Sequence, residues 1–239
     1  MAHPVHLFVY DGFADWEAAF AIAGIQQPAF QRVPGRYTVC TVALSQAPVR
    51  SMGGVAVLPD RLLDTLTPAE SAMLILPGGL GWEEGQHSAA AEMARAFLAG
   101  NVPVAAICGA TAGLARFGLL NGRRHTSNAL AYLKGVAAYE GSDRYEDQPA
   151  WRDGPLITAG GMAPLEFARE IFRCLDVYDE PVLAAWYDLY RTGRSEHFAR
   201  MQQAADVSWA RRAAAPTGIA RFLWQGIFVD GSLINDLGW

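Results

Sequence analysis

Cysteine is scarce in this sequence: Cys40, Cys108 and Cys174 are the three among 239 residues. An odd number so widely spaced excludes a disulfide framework, and no pair has zinc-ligand spacing, so no metal is expected and a reducing cytoplasm suits the chain best. Long apolar runs are also missing. None approaches the length that spans a bilayer. The start, Met1-Ala2-His3-Pro4, lacks the basic region of a secretory signal and reads into a strand. Positive charge is in deficit, with 19 Lys and Arg against 24 Asp and Glu and a net charge of -5. That balance argues against nucleic acid or an anionic membrane as the main partner. Internal repeats, low-complexity tracts and clear linkers are absent too. What the chain does have is a 51% hydrophobic composition, enough for a substantial core.

Short apolar runs alternate with helical patterns. Val5 to Tyr10, Tyr37 to Ala43, Ala72 to Leu76, Val102 to Ile107 and Pro155 to Ala159 read as strands, the first of them opening a sheet covered on both faces. Helices are expected from Asp15, from Ser88 with Met93, Ala96, Phe97 and Gly100 on one side, from Gly109, and from Pro164 with Leu165, Ala168, Ile171, Phe172 and Leu175 inward. Cys174 on that last helix reads as packing. Val49 to Leu58, around Gly53-Gly54, reads as a hairpin. Arg124 to Asn128 and Gly135 to Tyr139 read as two further short strands, and Glu140 to Gly154 as a polar surface loop. The alternation predicts an α/β fold, doubly wound and flavodoxin-like, with a mainly parallel sheet and helices on both faces. This domain covers residues 1–176. Residues 177–239 form a helical C-terminal extension: one helix runs from Pro181 to Gly193, and Ser195 caps a second with Phe198, Met201, Ala205 and Trp209 on one stripe. Its tail, Phe222-Leu223-Trp224 and Ile227-Phe228-Val229, is too apolar for water and should pack on the core or on another subunit.

The chemistry centres on Cys108, at the corner between the strand Val102 to Ile107 and the helix opening at Gly109. In Ala106-x-Cys108-x-Ala110 small residues flank the corner, where strand and helix backbones approach too closely for larger ones. A thiol there faces unpaired N–H groups whose partial positive charge favours the thiolate. The residues alone leave a second reading open, a small buried hydrophobe.

Ala105-Ala106-Ile107-Cys108-Gly109-Ala110-Thr111 with Gly118 to Asn128, Leu76-Pro77-Gly78-Gly79, and Asp11-Gly12-Phe13-Ala14-Asp15-Trp16-Glu17 together resemble the ThiJ/PfpI (DJ-one) superfamily, relatives of the class I glutamine amidotransferases. The resemblance implies that Cys108 is a catalytic nucleophile paired with the acidic Glu17. It also implies an oxyanion hole from the backbone N–H groups of Gly79 and Gly109, and a homodimer. Asp15, Trp82, His125 and Asn128 are candidate pocket residues, with Glu83 and Glu84 beside Trp82; an exposed loop is the other reading of that segment. The pattern departs from the family in its base. Gly109 stands where the protease and glyoxalase branches place histidine, Gly160-Gly161-Met162-Ala163-Pro164 carries neither histidine nor glutamate, and Asn128 matches a pocket histidine. A Cys-His-Glu triad is therefore left open, with His87 and His125 the histidines nearest the motifs and a structural role the alternative for His125. Three functions follow: a cysteine enzyme acting on a small carbonyl or amide electrophile, whether hydrolase, glyoxalase or amidotransferase-like; a redox or stress-response protein working through oxidation of Cys108; and a ligand-binding pseudoenzyme. A small molecule is the expected partner and no cofactor is expected.

Overall fold

The computed structural model describes residues 2–213. The strands are β1 (His3–Phe8), β2 (Tyr37–Ala43), β3 (Val49–Arg50), β4 (Ala56–Val57), β5 (Arg61–Leu62), β6 (Met73–Leu76), β7 (Val104–Ile107), β8 (Ala150–Asp153) and β9 (Leu156–Ala159). The helices are α1 (Asp15–Gln26), α2 (Ser88–Ala99), α3 (Gly109–Arg116), α4 (Leu130–Lys134), α5 (Pro164–Leu175), α6 (Glu180–Thr192) and α7 (Glu196–Ala213).

The main sheet runs in the order β5-β2-β1-β6-β7-β9-β8. All its pairings are parallel except β8 against β9. Without the two edge strands this is the flavodoxin-like order, in which the strand sequence reverses between β1 and β6. β6 and β7 carry Met-Leu-Ile-Leu and Val-Ala-Ala-Ile, and every one of these side chains is buried. Only strands covered on both faces tolerate such runs. Helices α1 and α5 pack together, as do α2 and α3, which places the two pairs on opposite faces. β3 and β4 form the expected hairpin, outside the main sheet.

Several local expectations are corrected. Residues 124–128 are extended but make only an isolated bridge, His125 with Tyr145. The Thr126 N–H goes to the Thr158 hydroxyl and its own hydroxyl to the Gln148 carbonyl, so side chains take the bonds a ladder would use. Residues 135–139 are turns, with the Val136 N–H bonded back to Leu133 and that of Tyr139 to Val136. The supposed loop before Gly154 contains β8, an edge strand whose Arg124-covered Trp151 and exposed Arg152 hide the usual apolar alternation. In α2 the inward residues are Ala90, Ala91, Ala94, Phe97 and Leu98, so Ala96 and Gly100 face outward.

Past α5 the chain stays on the core. Tyr178 donates its hydroxyl to the Gly24 carbonyl, and Trp186 of α6 stacks edge-on against Phe172. Helix α7 lies on α6, burying Met201 while Phe198, edge-on to Phe30, and Trp209 keep 40% of their surface exposed. The tail containing Phe222 and Trp224 lies outside the described residues.

Helices α1 and α5 approach closely at Gly24. A methyl group on Gly24 would lie 2.4 Å from Cζ of Phe172 and 3.0 Å from the Tyr178 hydroxyl. Gly24→Ala should therefore destabilise by about 1–3 kcal/mol through overpacking. A thermal melt should show a midpoint lowered by roughly 2 °C or more, and an unchanged midpoint would mean that Phe172 yields without strain.

Candidate functional site

Three strand ends meet at one sulfur. β7 delivers Cys108 into a left-handed backbone conformation, φ 57°, before α3 begins. A non-glycine residue held there is strained and persists only where its surroundings over-determine it. The Cys108 N–H bonds the Ala159 carbonyl at 3.0 Å, tying the corner to β9. From β6 come Gly78 and Gly79. A methyl on Gly78 would fall 2.7 Å from Cβ of Cys108, 2.8 Å from the Gly109 nitrogen and 2.9 Å from Oε2 of Glu17. Gly79, at φ 133°, is pressed so closely on the turn after β1 that a methyl there would lie 2.3 Å from the Gly12 carbonyl oxygen. Neither position has room for a side chain.

Glu17 sits in the first turn of α1 with 1% of its surface exposed. Its Oε2 accepts the Gly78 N–H at 2.6 Å, and its Oε1 lies beside the Cys108 sulfur across Gly161. Burial pushes the Glu17 carboxyl up to about 7, against the pull of the Gly78 and Cys108 hydrogen bonds. Burial also pushes the Cys108 thiol up to about 11, helped by the neighbouring Glu17 charge and opposed by Asn128 and the Gly109 N–H. The helix-start N–H groups thus lower the thiol as the sequence suggested, but burial and the carboxylate outweigh them. Two anions side by side here repel each other, so the pair holds two protons below about 7 and, above it, one proton on the thiol.

The opposite flank is Asn128 and Gly161. The Asn128 side chain donates Nδ2 to Sγ of Cys108 at 3.4 Å and accepts the Gly161 N–H through Oδ1 at 2.8 Å. A methyl on Gly161 would lie 2.8 Å from Sγ and 3.2 Å from Oε1 of Glu17. Thr111 fastens this flank to the elbow, with its hydroxyl 2.6 Å from both the Cys108 carbonyl and the Ser127 hydroxyl.

Of the residues singled out in the sequence, the structure brings together Cys108, Glu17, Gly109 and Asn128, with Gly79 alongside. It corrects two pocket candidates. Trp82 is 1% exposed and lies behind the elbow, its Nε1 donating to the Pro77 carbonyl at 2.9 Å and the Tyr10 hydroxyl at 2.8 Å. A methyl on Gly113 would be 2.1 Å from its Cε3, so the tryptophan is a buried buttress for α3. His125 is fully buried with both ring nitrogens engaged, Nδ1 by the Arg123 carbonyl and Nε2 by the Tyr139 hydroxyl, each at 2.7 Å. Its polar capacity is spent within the core. Asp15 accepts the Ser51 hydroxyl at 2.6 Å and clamps the β3–β4 hairpin to the start of α1. His87 stacks on Tyr10 and bonds the Leu80 carbonyl. Glu83 is exposed and receives the Tyr132 hydroxyl from α4.

Sequence reasoning missed Gly78 and Gly161 as walls of the sulfur site. The available signal was two glycine pairs, 78–79 and 160–161, each directly after a strand that neighbours β7 in the sheet. Among the described residues no group of three or more His, Cys, Asp or Glu side chains is arranged to hold a metal ion. No helix there is long and apolar enough to cross a membrane.

Comparison with known proteins gives one consistent picture. The model of the DJ-1/PfpI family matches residues 3–174. A Bacillus subtilis relative named uncharacterized protease YoaZ is 39% identical over 196 residues, covering 81% of this chain and 93% of that protein. The crystal structure of a ThiJ/PfpI family protein from Bacillus anthracis superposes with a TM-score of 0.80 at 38% identity, covering 85% of this chain and 97% of that one. A DJ-1 superfamily protein from Agrobacterium tumefaciens gives 0.72 at 34% identity, covering 81% and 99%.

Two outcomes test the geometry. Gly161→Ala places a methyl against Sγ and should slow alkylation of Cys108 by about tenfold, roughly 1.4 kcal/mol of barrier, with the circular dichroism spectrum retained; unslowed alkylation would show that face of the sulfur to be open. The Glu17 carboxyl keeps its proton in the folded state up to about 7, above its ordinary value of 4.5. Stability from this proton is full below 4.5 and is lost as pH rises through 7. Denaturant titrations across that window should show falling stability, and Glu17→Gln should flatten the slope.

Proposed function

The chain belongs to the DJ-1/PfpI family, and from that premise we propose that it is a cysteine-dependent enzyme of small carbonyl electrophiles, with Cys108 as nucleophile and Glu17 as its proton partner. The observation that carries this reading is the placement of the Glu17 carboxyl, 1% exposed beside the Cys108 sulfur with its Oε2 on the Gly78 N–H at 2.6 Å, where burial pushes it up to about 7. A base poised at the working pH is what proton transfer from a weakly acidic thiol requires.

In the proposed reaction the Glu17 carboxylate takes the thiol proton as sulfur attacks the carbonyl carbon. The S–C bond forms, the C=O π pair moves to oxygen, and Glu17 returns the proton to that oxygen to give a hemithioacetal. With an α-oxoaldehyde the carboxylate then moves the proton from the adduct carbon to the adjacent carbonyl carbon while the hemithioacetal hydroxyl proton passes to that carbonyl's oxygen, leaving an α-hydroxy thioester that water cleaves to an α-hydroxy acid and free Cys108. The N–H groups of Gly79 and Gly109 are assigned to the developing oxyanion. Gly109 opens α3, so its N–H is among those without an intrahelical acceptor.

The relatives' names speak of proteases, yet carbonyl addition suits this chain better than peptide cleavage. Among the described residues no histidine hydrogen-bonds Cys108 to supply a leaving amine with its proton, and His125 is fully engaged elsewhere. A second reading is oxidation: the Asn128 amide, the Gly109 N–H and a protonated Glu17 surround the sulfur with donors that suit a sulfinate. Three free cysteines fit a reducing cytoplasm for either activity, and the family likeness favours a homodimer.

Turnover of methylglyoxal and of simple amides, followed across pH, decides between them. For the enzyme, kcat/KM toward the aldehyde rises with pH through about 7 as Glu17 ionises. Cys108→Ser abolishes turnover, and Glu17→Gln removes the rising limb and about 10²–10⁴ in rate. Ready sulfinate formation without turnover supports the redox reading, and a thiol inert to both overturns both.

A further inference from the structure

Asn128 occupies the place where the motif comparison expects a pocket histidine, and its bonding is fixed by a neighbour. The Gly161 main-chain nitrogen can only donate, so the Asn128 atom 2.8 Å away is the carbonyl oxygen. The amide NH₂ is therefore turned to Sγ of Cys108, 3.4 Å away. This removes the usual ambiguity of an asparagine side chain, because the reversed orientation would set two donors against each other. The anchor is itself held. Ser127, one residue earlier, bonds Thr111 of α3 at 2.6 Å, and a methyl on Gly160 would lie 3.1 Å from the Ser127 carbonyl oxygen. The last wall is Gly161, whose α-carbon leaves no space for a side chain between backbone and sulfur.

We infer that Asn128 is a positioning residue for Cys108: its amide, oriented by the Gly161 N–H, holds Sγ in place and stabilises the charge that gathers on sulfur when Glu17 takes the thiol proton. The inference rests on the proposed reactivity of Cys108 and assigns a role that neither Glu17 nor the oxyanion donors fill. An amide at this position donates a hydrogen bond but accepts no proton at neutral pH. Glu17 is thus the proton acceptor beside the thiol, and the site is matched to aldehydes and ketones, whose addition consumes the one proton that leaves sulfur. Amide cleavage would instead require that same proton to be carried to the departing nitrogen. The distinction from histidine is chemical and not steric: histidine would bring a group able to take that proton, whereas asparagine brings a fixed dipole.

The test is the pH dependence of iodoacetamide alkylation at Cys108, read by peptide-resolved mass spectrometry so that Cys40 and Cys174 do not contribute. Asn128→Asp retains an oxygen for the Gly161 N–H but turns a second acceptor toward sulfur. Asn128 is exposed, so the fold should tolerate the change, and near-ultraviolet circular dichroism checks it. The expected result is an upward shift of the alkylation midpoint of about one pH unit, equivalent to about tenfold slower alkylation at a fixed pH below it. Asn128→Ala should shift the midpoint in the same direction by less. Asn128→His, which can present an N–H to sulfur, should restore the midpoint toward that of the wild type. Coincident profiles for the wild type and Asn128→Asp overturn the role of Asn128 while leaving the Cys108 chemistry standing. A Cys108 that resists alkylation at every pH in the wild type overturns the functional reading itself, and this one with it.

Discussion

A single proton held between a buried carboxyl and a half-buried thiol is the constraint on which the rest of the site turns. Ionising both groups would set two negative charges side by side in a largely buried, poorly screened setting. The Gly78 N–H pulls the anion toward Glu17, while Asn128 and Gly109 pull it toward sulfur. The balance lies with the carboxylate, which leaves the thiol as the proton carrier until an electrophile arrives. A donor set arranged around both partners is what lets the proton move between them without rearrangement of the chain.

That arrangement depends on packing as much as on charge. The elbow at Cys108 is strained, and the strain is borne from behind by Trp82 against Gly113, from the side by the Ala159 carbonyl, and through Thr111 by Ser127. Glycines at 78, 79 and 113 are the counterpart of this support, since each lets a neighbour approach to a distance that any side chain would forbid. Reactivity and architecture are therefore not separable here. The same close approach of β6, β7 and α1 that builds the sheet's central crevice also brings carboxyl to sulfur.

Much of this could be read from the amino acids, and the failures have physical causes. The flavodoxin-like order was legible because β6 and β7 are uninterrupted apolar runs punctuated by Pro-Gly-Gly and by the cysteine corner. Cys108 was legible because it directly follows such a strand, and Glu17 only through the family resemblance of the segment from Asp11 to Glu17. β8 was not, since Ala150-Trp151-Arg152-Asp153 is only partly covered at the sheet edge and has no fully buried face to impose apolar alternation. Residues 124–128 carry strand-like side chains but spend their hydrogen bonds on Thr158 and Gln148, a choice made by tertiary neighbours. Trp82 read as a wall because it follows the glycine pair 78–79, yet the ring turns inward to satisfy its N–H on Tyr10 and Pro77. The direction of the thiol's acidity was beyond reach for the same reason: burial depth is a property of the assembled molecule.

Gly78 and Gly161 give the site an unusual economy. Two of the surfaces that touch Cys108 are main chain, and main chain presents the same atoms whatever residue is encoded there. Divergence among proteins sharing this scaffold cannot retune those surfaces short of filling them. The adjustable contacts on the sulfur are the side chains at 17 and 128, so a switch of reaction type has two dials, and the neighbouring backbone serves as their fixed scale.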